Sequence, residues 1–275
     1  NWVYDGAKVS LKAARGEYVS FQLVIERKTD RTLKDIIVRM EPFRSQQKKL
    51  GTDPELFLEW AVEVKEISTG YERSSLGAGW YPDALIPLSC VQQDIAGMSR
   101  LSWPLELPDF RNRIDSQKFM AIWVDQFIPF EKEAAAPGNY ASRISVKIEG
   151  VERVIPVELT VWDFAVPREN RLAGNLQHEG FLRGMDPRLE LKVYQLFKRH
   201  RVVPSDPTYV PGIEVSASGA VKIDWAPFDE RLKKYFSGEA FTGKYGYSGP
   251  GQGEPIEQFV LPFDVYGKYD TRGWR

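Results

Sequence analysis

Alternation of hydrophobic and polar residues dominates the first 166 residues. In residues 19–25, Val19, Phe21, Leu23 and Ile25 fall on one face of an extended chain, which predicts a half-buried strand. Similar patterns predict further strands at residues 36–40, 56–67, 119–127, 141–148 and 154–161. Turn signals separate these strands, and Glu149-Gly150 is placed to join the last two as an antiparallel pair. Several strands without a long helix between them predict a β-sandwich.

The pattern changes at residue 167, where a strand ends in proline and a short charged stretch follows. We therefore predict two domains, a β-sandwich at residues 1–166 and a second domain at residues 167–275. Asp186-Pro187 supplies a helix N-cap and a proline at the first helical position. The predicted helix runs to the basic residues 199–201, which suit a helix C-terminus. Its predicted apolar face consists of Leu189, Val193, Leu196 and Phe197.

A second helix is predicted at residues 226–236, with Phe228, Leu232, Tyr235 and Phe236 on its apolar face. Short strands are predicted at residues 172–177, 202–204 and 259–263. The order strand, helix, strand, helix, strand predicts the opening of a (β/α)8 (TIM) barrel or of a doubly wound sheet. The predicted fold class is thus mixed β and α/β.

About three strands cannot close an eight-stranded barrel, so the second domain is expected to be incomplete. The first residues, Asn1 to Tyr4, contain no initiator methionine and no signal peptide. We therefore expect the chain to be a fragment of a larger protein. An incomplete barrel exposes strand edges and apolar helix faces, which either a homo-oligomer or the missing C-terminal part would cover.

The composition limits the binding partners and metal sites that are expected. The chain of 275 residues has a net charge of −1 and no cluster of lysine or arginine, so no nucleic-acid partner is expected. No apolar run reaches the length of a membrane span. A single cysteine, Cys90, excludes an internal disulfide. With only two histidines, His178 and His200, a histidine metal centre is not expected, and no cofactor is predicted.

Five sequence blocks carry a resemblance to a known family. They are residues 14–25 (ARGEYVSFQLVI), 80–87 (WYPDALIP), 137–140 (PGNY), 161–167 (VWDFAVP) and 196–201 (LFKRHR). Each block is short, but together and in this order they resemble the amino-terminal half of glycoside hydrolase family 123 and its uncharacterised relatives.

The resemblance implies a β-sandwich followed by a (β/α)8 barrel, and hydrolysis of a terminal N-acetyl-β-galactosaminide. In the family's substrate-assisted mechanism the sugar's own 2-acetamido oxygen attacks the anomeric carbon. An Asp orients the acetamide, and the adjacent Glu protonates the leaving oxygen. The resemblance also implies a glycan substrate and a periplasmic or extracellular location.

The chain contains one consecutive Asp-Glu pair, Asp229-Glu230, but its context is that of a helix start. Acidic residues in the first turn of an amphipathic helix complement the helix dipole. A catalytic pair would instead follow a barrel strand and face the C-terminal rim of the barrel. We therefore expect the catalytic pair to lie beyond Arg275. The catalytic residues are then unknown, and this chain alone is expected to be inactive.

Candidate substrate-binding residues follow the first two predicted barrel strands. They are Gln177, His178 and Glu179 after the first strand, and Asp206, preceded by Ser205, after the second. Each side chain also fits an ordinary loop role, as a hydrogen-bonded histidine or a hydrated carboxylate. His200, between two arginines, fits a helix end better than a contact with substrate.

Trp80 is a further candidate, because sugar rings stack on flat side chains. It lies in a loop rich in glycine and proline, residues 77–82, and either contacts substrate or packs between domains. The glycine-rich residues 241–253 either cover a barrel mouth or form a mobile loop. Two functions remain open at this stage, a glycoside hydrolase and a non-catalytic carbohydrate-binding or structural module.

Overall fold

In the computed structural model the chain divides into two compact units, Asn1–Val166 and Pro167–Arg275. The structure describes residues 3–46, 48–66, 77–92, 103–109, 114, 116–169, 174–176, 185–204 and 211–256. The described residues are rich in β-sheet and contain few helices.

The described residues of the first unit form nine strands and one short helix. They are β1 (Val9–Arg15), β2 (Tyr18–Glu26), β3 (Leu33–Met40), β4 (Glu55–Val64), β5 (Gly79–Pro87), α1 (Leu88–Gln92), β6 (Leu105–Leu107), β7 (Phe119–Phe127), β8 (Gly138–Ile148) and β9 (Val151–Ala165). One sheet has the strand order β1-β9-β8-β3-β6, and the other has the order β2-β7-β4-β5.

The hairpin of β8 and β9 shows how local sequence sets the register. The two strands pair antiparallel from Gly138↔Val161 to Ile148↔Val151. Glu149 and Gly150 connect them with φ angles of 48° and 88°. Two successive positive φ angles match the right-handed twist of the flanking strands, and glycine adopts them at little cost. The predicted turn is confirmed.

One hydrophobic core receives side chains from both sheets. The five-stranded sheet contributes Ile36, Ile144 and Leu159, and the four-stranded sheet contributes Phe21 and Ile122. All six strands predicted from alternation are present, because their apolar positions are the ones that face this core.

Three strands of the first unit were not predicted. The strand β1 alternates Val9, Leu11 and Ala13, but small Ala13 weakens the pattern. It pairs parallel with β9. The strand β6 has only three residues, and β5 shows no alternation because most of its residues are exposed on both faces.

In the second unit the described residues form short strands and two helices. They are β10 (Asn175–Leu176), α2 (Pro187–Arg199), β11 (Val203–Pro204), β12 (Gly212–Val215), β13 (Val221–Asp224) and α3 (Ala226–Phe236), followed by two single-turn 3₁₀ helices, Glu239–Phe241 and Gly243–Tyr245. The strands β10 and β11 pair parallel, and α2 connects them in the chain. The strands β12 and β13 form an antiparallel hairpin that the sequence patterns did not predict.

Helix α2 begins as predicted but buries a different face. Asp186 caps it, because its side chain accepts a hydrogen bond from the Arg188 backbone N–H at 2.8 Å. Leu189 and Leu196 are 51% and 55% exposed, so their prediction as part of the packed apolar face is wrong, whereas Val193 of that face packs against the core. The buried positions are Glu190, Tyr194 and Lys198, which face α3 and the segment that follows it.

The glycine-rich stretch after α3 is folded. Ala240, Phe241 and Tyr247 are buried with Phe228, Leu232 and Tyr235 of α3 in one aromatic core. Gln195 of α2 donates hydrogen bonds to the carbonyls of Ala240 and Tyr245 at 2.9 and 3.1 Å. Residues 241–253 are therefore not the open loop that their glycines predicted, because the aromatic residues between the glycines fill the core of this unit.

Candidate functional site

Most of the predicted substrate-binding residues lie outside the described part of the chain. Gln177, His178, Glu179 and Asp206 belong to this group, as does Ser205, and their roles stay predictions. Trp80 is the predicted site residue that the structure describes.

Trp80 lies on a strand and not in a loop. It belongs to β5, which pairs with β4 from Phe57↔Pro87 to Val64↔Gly79, and its side chain is 38% exposed. The prolines that indicated a loop are tolerated because β5 is the edge strand of its sheet. The backbone pairing with β4 therefore fixes the position of the strand that carries this half-exposed indole.

The strands β4 and β5 extend past the sheet as a two-stranded ribbon. Strand β7 pairs with β4 only from Glu55 to Leu58, so the later residues of β4 have β5 as their partner strand. Trp60 and Ala61 pair with Ala84 and Pro82, which leaves Asp83 as the extra residue of a bulge. The bulge shifts the alternation of β5 by one residue, so Trp80 shares the face of Glu63 and Leu85.

A row of aromatic and polar side chains crosses the outer face of the four-stranded sheet. Gln22 pairs with Trp123, Trp123 with Phe57, and Phe57 with Pro87. We call these four residues the aromatic row. Their neighbours Phe21, Ile122 and Leu58 point into the core, so the row points outward. Phe57 and Trp123 are half-buried and Gln22 is exposed.

Hydrogen bonds fix the polar groups beside the aromatic row. The indole N–H of Trp123 donates to Asp125 Oδ1 at 2.6 Å, and the Ser20 hydroxyl donates to the same oxygen at 2.5 Å. The Gln22 amide donates to both carboxylate oxygens of Glu59, at 2.8 and 2.9 Å. These contacts orient the Trp123 ring and leave the amide oxygen of Gln22 as a further acceptor.

A cleft with a volume of about 510 Å³ begins at one end of the row. Its lining includes Phe57 and Pro87 of the row and the polar residues Arg39, Glu55 and Ser89. This volume lies in the range of about 300–1,000 Å³ that is typical of small-molecule sites.

The sequence itself indicates part of the aromatic row, because Trp123 stands at an outward strand position. Gln22 and Trp123 occupy outward positions of two strands that were correctly predicted. A tryptophan at a position where a polar residue is expected is such a signal. The pairing that brings Gln22, Trp123 and Phe57 together is non-local and could not be read from alternation alone.

Asp229 and Glu230 lie on the exposed side of the first turns of α3. The prediction that this pair marks a helix start is confirmed. His200 is the C-cap of α2, and its backbone N–H donates to the carbonyls of Leu196 and Phe197 at 3.2 and 3.0 Å. Its predicted place at a helix end is also confirmed.

An ionic cluster connects α2 to α3 inside the second unit. The Glu190 side chain is fully buried, and it accepts hydrogen bonds from Arg231 at 3.2 Å and from the Tyr235 hydroxyl at 3.1 Å. The Tyr194 and Tyr235 rings stack with centroids 4.0 Å apart. Burial, followed by the negative charge of Glu190, raises the pKa of the Tyr235 phenol far above its ordinary value. Glu190 and Tyr235 are closed from solvent, which favours a structural role.

None of the helices in the described part of the chain has the length and apolar character needed to span a bilayer.

No protein-family model and no curated protein matches this chain. Among solved structures, it is similar to a family 123 glycoside hydrolase from Clostridium perfringens that was studied for glycolipid glycan hydrolysis. The TM-score is 0.53 at 12% sequence identity, and the match covers 82% of this chain and 40% of that one. At this identity the match shows similarity of fold alone.

A second solved structure is the sialic acid binding region of a Streptococcus sanguinis SK1 adhesin bound to 3'sLn. It is 12% identical and covers 78% of this chain and 42% of that chain. Its TM-score of 0.23 is too low to carry an argument. The chain thus spans less than half the length of either protein.

Proposed function

We propose that this chain is the amino-terminal part of a glycoside hydrolase-like protein that acts on glycans containing N-acetylhexosamine. The observation that carries the proposal is the fold similarity to the family 123 enzyme over 82% of the chain. The family resemblance of residues 14–25, 80–87 and 161–167 is an independent argument for the same family.

The proposed architecture is a β-sandwich followed by the first part of a (β/α)8 barrel. Two sheets that share one core support the sandwich. The parallel pair of β10 and β11, connected through α2, supports the opening of a barrel.

The proposed chemistry is substrate-assisted hydrolysis with retention of the β configuration. The 2-acetamido oxygen attacks the anomeric carbon while a Glu protonates the departing glycosidic oxygen. Water then opens the cyclic intermediate. In this proposal the Asp-Glu pair lies outside the chain, because Asp229 and Glu230 are on the exposed side of a helix. Gln177, His178, Glu179 and Asp206 would contribute to the near side of the sugar site, and the protein would be exported.

An assay of the complete gene product tests this proposal. We expect hydrolysis of 4-nitrophenyl N-acetyl-β-galactosaminide and none of 4-nitrophenyl β-galactoside, which lacks the acetamido nucleophile. Residues 1–275 alone should hydrolyse neither. Equal rates on both substrates would contradict the substrate-assisted mechanism, and turnover by the isolated chain would contradict the proposed location of the pair.

A second candidate function is that of a non-catalytic carbohydrate-binding module. The observation that favours it is the exposed Trp80 on the paired β4–β5 ribbon. Glycan binding by the isolated chain that Trp80→Ala abolishes would support this function. Binding that is unchanged in this variant would leave Trp80 with a packing role.

A further inference from the structure

We propose that the aromatic row on the outer face of the four-stranded sheet is a binding site for a neutral sugar. The inference rests on the second proposed function, glycan binding by this chain, and it names residues other than Trp80, which lies further along the same outward face of β4 and β5. Hydrolysis is not required for it.

The chemistry of the aromatic row matches that of a sugar ring. A sugar ring presents apolar C–H groups on its faces and hydroxyl groups around its rim. Phe57 and Trp123 supply adjacent aromatic surface, while Gln22 and Glu59 supply hydrogen-bonding groups on the same face. Ligand sites generally combine apolar walls with a few placed polar groups in this way.

The polar groups beside the aromatic row are already oriented by hydrogen bonds. Asp125 is buried and holds the Trp123 indole through the hydrogen bond at 2.6 Å. The hydrogen bonds from Gln22 on β2 to Glu59 on β4 cross the intervening strand β7 and fix two further side chains. A ligand therefore meets groups whose rotamer freedom has already been lost, which lowers the entropic cost of binding.

The charges around the row favour a ligand without negative charge. The outward positions of the four described strands include Glu55, Glu59 and Asp125 near the row, but neither lysine nor arginine. Lys28 and Lys65, just beyond the strand ends, pair with the more distant Glu26 and Glu63. An excess of negative charge beside the row repels anionic ligands. At the cleft, Arg39 from the other sheet balances Glu55. This distribution favours a neutral sugar over a sialylated, sulfated or uronic acid sugar.

Saturation-transfer NMR on residues 1–275 tests the inference. The probes are methyl N-acetyl-β-galactosaminide, lactose and 3′-sialyllactose. We expect saturation transfer to at least one of the two neutral sugars and a dissociation constant at least tenfold higher for the sialylated one. Absence of transfer to both neutral sugars, or tighter binding of the sialylated one, would overturn the proposal.

Three variants locate the site. Gln22→Ala changes an exposed side chain, and Trp123→Phe keeps an aromatic ring without the indole N–H. Each is expected to weaken binding at least tenfold. Trp225→Ala, which removes an exposed indole from the second unit, is the matched control and should bind as the unchanged chain does. Undiminished binding by both Gln22→Ala and Trp123→Phe would overturn the assignment to the row, whatever the hydrolysis assay shows.

Discussion

The two units of this chain are stabilised by different chemistry. The core of the first unit is mainly hydrocarbon and brings together Ile36, Ile122 and Leu159 from two sheets. The core of the second unit is aromatic and surrounds the Glu190 carboxylate with tyrosine rings. An apolar core tolerates substitution as long as volume is conserved, whereas a buried carboxylate depends on each of its partners.

The largest expected loss of stability follows from a cavity in the core of the first unit. Leu159 is fully buried between the sheets, and Leu159→Ala is expected to destabilise this unit by about 2–5 kcal/mol. Urea unfolding followed by circular dichroism measures the change. Leu196→Ala is the matched control, because Leu196 is 55% exposed on α2 and should change stability by less than about 0.5 kcal/mol. Equal losses would contradict the assignment of the buried and exposed faces.

The second-largest expected loss of stability follows from removing the buried carboxylate of the second unit. Glu190→Ala leaves Arg231 and Tyr235 without their shared partner and is expected to cost about 2–3 kcal/mol. This free-energy cost is lower than the cost of breaking a fully buried ion pair, because the Arg231 side chain is 26% exposed. Hydrogen exchange should increase in α2 and α3 and stay unchanged in β7 to β9. Glu214→Ala, at an exposed glutamate on β12, is the control and should leave both regions unchanged.

A smaller effect is expected from the Tyr235 hydroxyl. Tyr235→Phe removes one hydrogen bond to Glu190 and should cost about 1–2 kcal/mol near neutral pH. The pKa of this phenol is raised above 10.0 in the folded unit, so unfolding promotes its ionisation. The neutral Tyr235 phenol therefore contributes fully to the free energy of unfolding below pH 10, and this contribution is lost as the pH rises further.

Alkaline unfolding distinguishes Tyr235 from Tyr140, a second described tyrosine whose pKa is raised. Burial also raises the pKa of Tyr140, which lies in the first unit and donates to the Ala136 carbonyl at 2.8 Å. Tyr235→Phe should flatten the alkaline loss of stability in α2 and α3 alone, and Tyr140→Phe should affect only the first unit. A pH profile of α2 and α3 that Tyr235→Phe leaves unchanged is the contrary outcome.

The smallest effect is at the start of α2. Asp186→Ala removes the side-chain acceptor for the Arg188 backbone N–H and is expected to cost about 1 kcal/mol. Asp186→Asn keeps a capping oxygen and should lose much less. Thermal unfolding of the three chains, followed at 222 nm, compares them. A loss in Asp186→Asn as large as in Asp186→Ala would show that the cap hydrogen bond is not responsible.

Local sequence patterns were sufficient to predict many of the strands, helices and turns. Alternation located the strands whose inner face meets the core, such as β7, whose bounds match the prediction. Helix α3 also has the predicted bounds, and Phe228, Leu232 and Tyr235 of its predicted apolar face are buried. Phe236, predicted on the same face, is exposed. The cap at Asp186 and the turn at Glu149-Gly150 depend on a few neighbouring residues and were predicted for that reason.

What could not be predicted depends on contacts between distant residues. Strand β5 has no buried face to create alternation, so its glycine and prolines were misinterpreted as a loop. The buried face of α2 is set by Tyr235 and Arg231, some forty residues away, and not by its leucines. The aromatic row depends on the pairing of β2, β7 and β4, which no local pattern specifies.

The most direct test of the proposed function is the stereochemistry of the first product. The complete gene product is mixed with an aryl N-acetyl-β-galactosaminide, and proton NMR records the anomeric signal before mutarotation. The account predicts that β-N-acetylgalactosamine appears first, since two successive inversions retain the configuration. Initial release of the α anomer, or no hydrolysis by the complete protein, would contradict it.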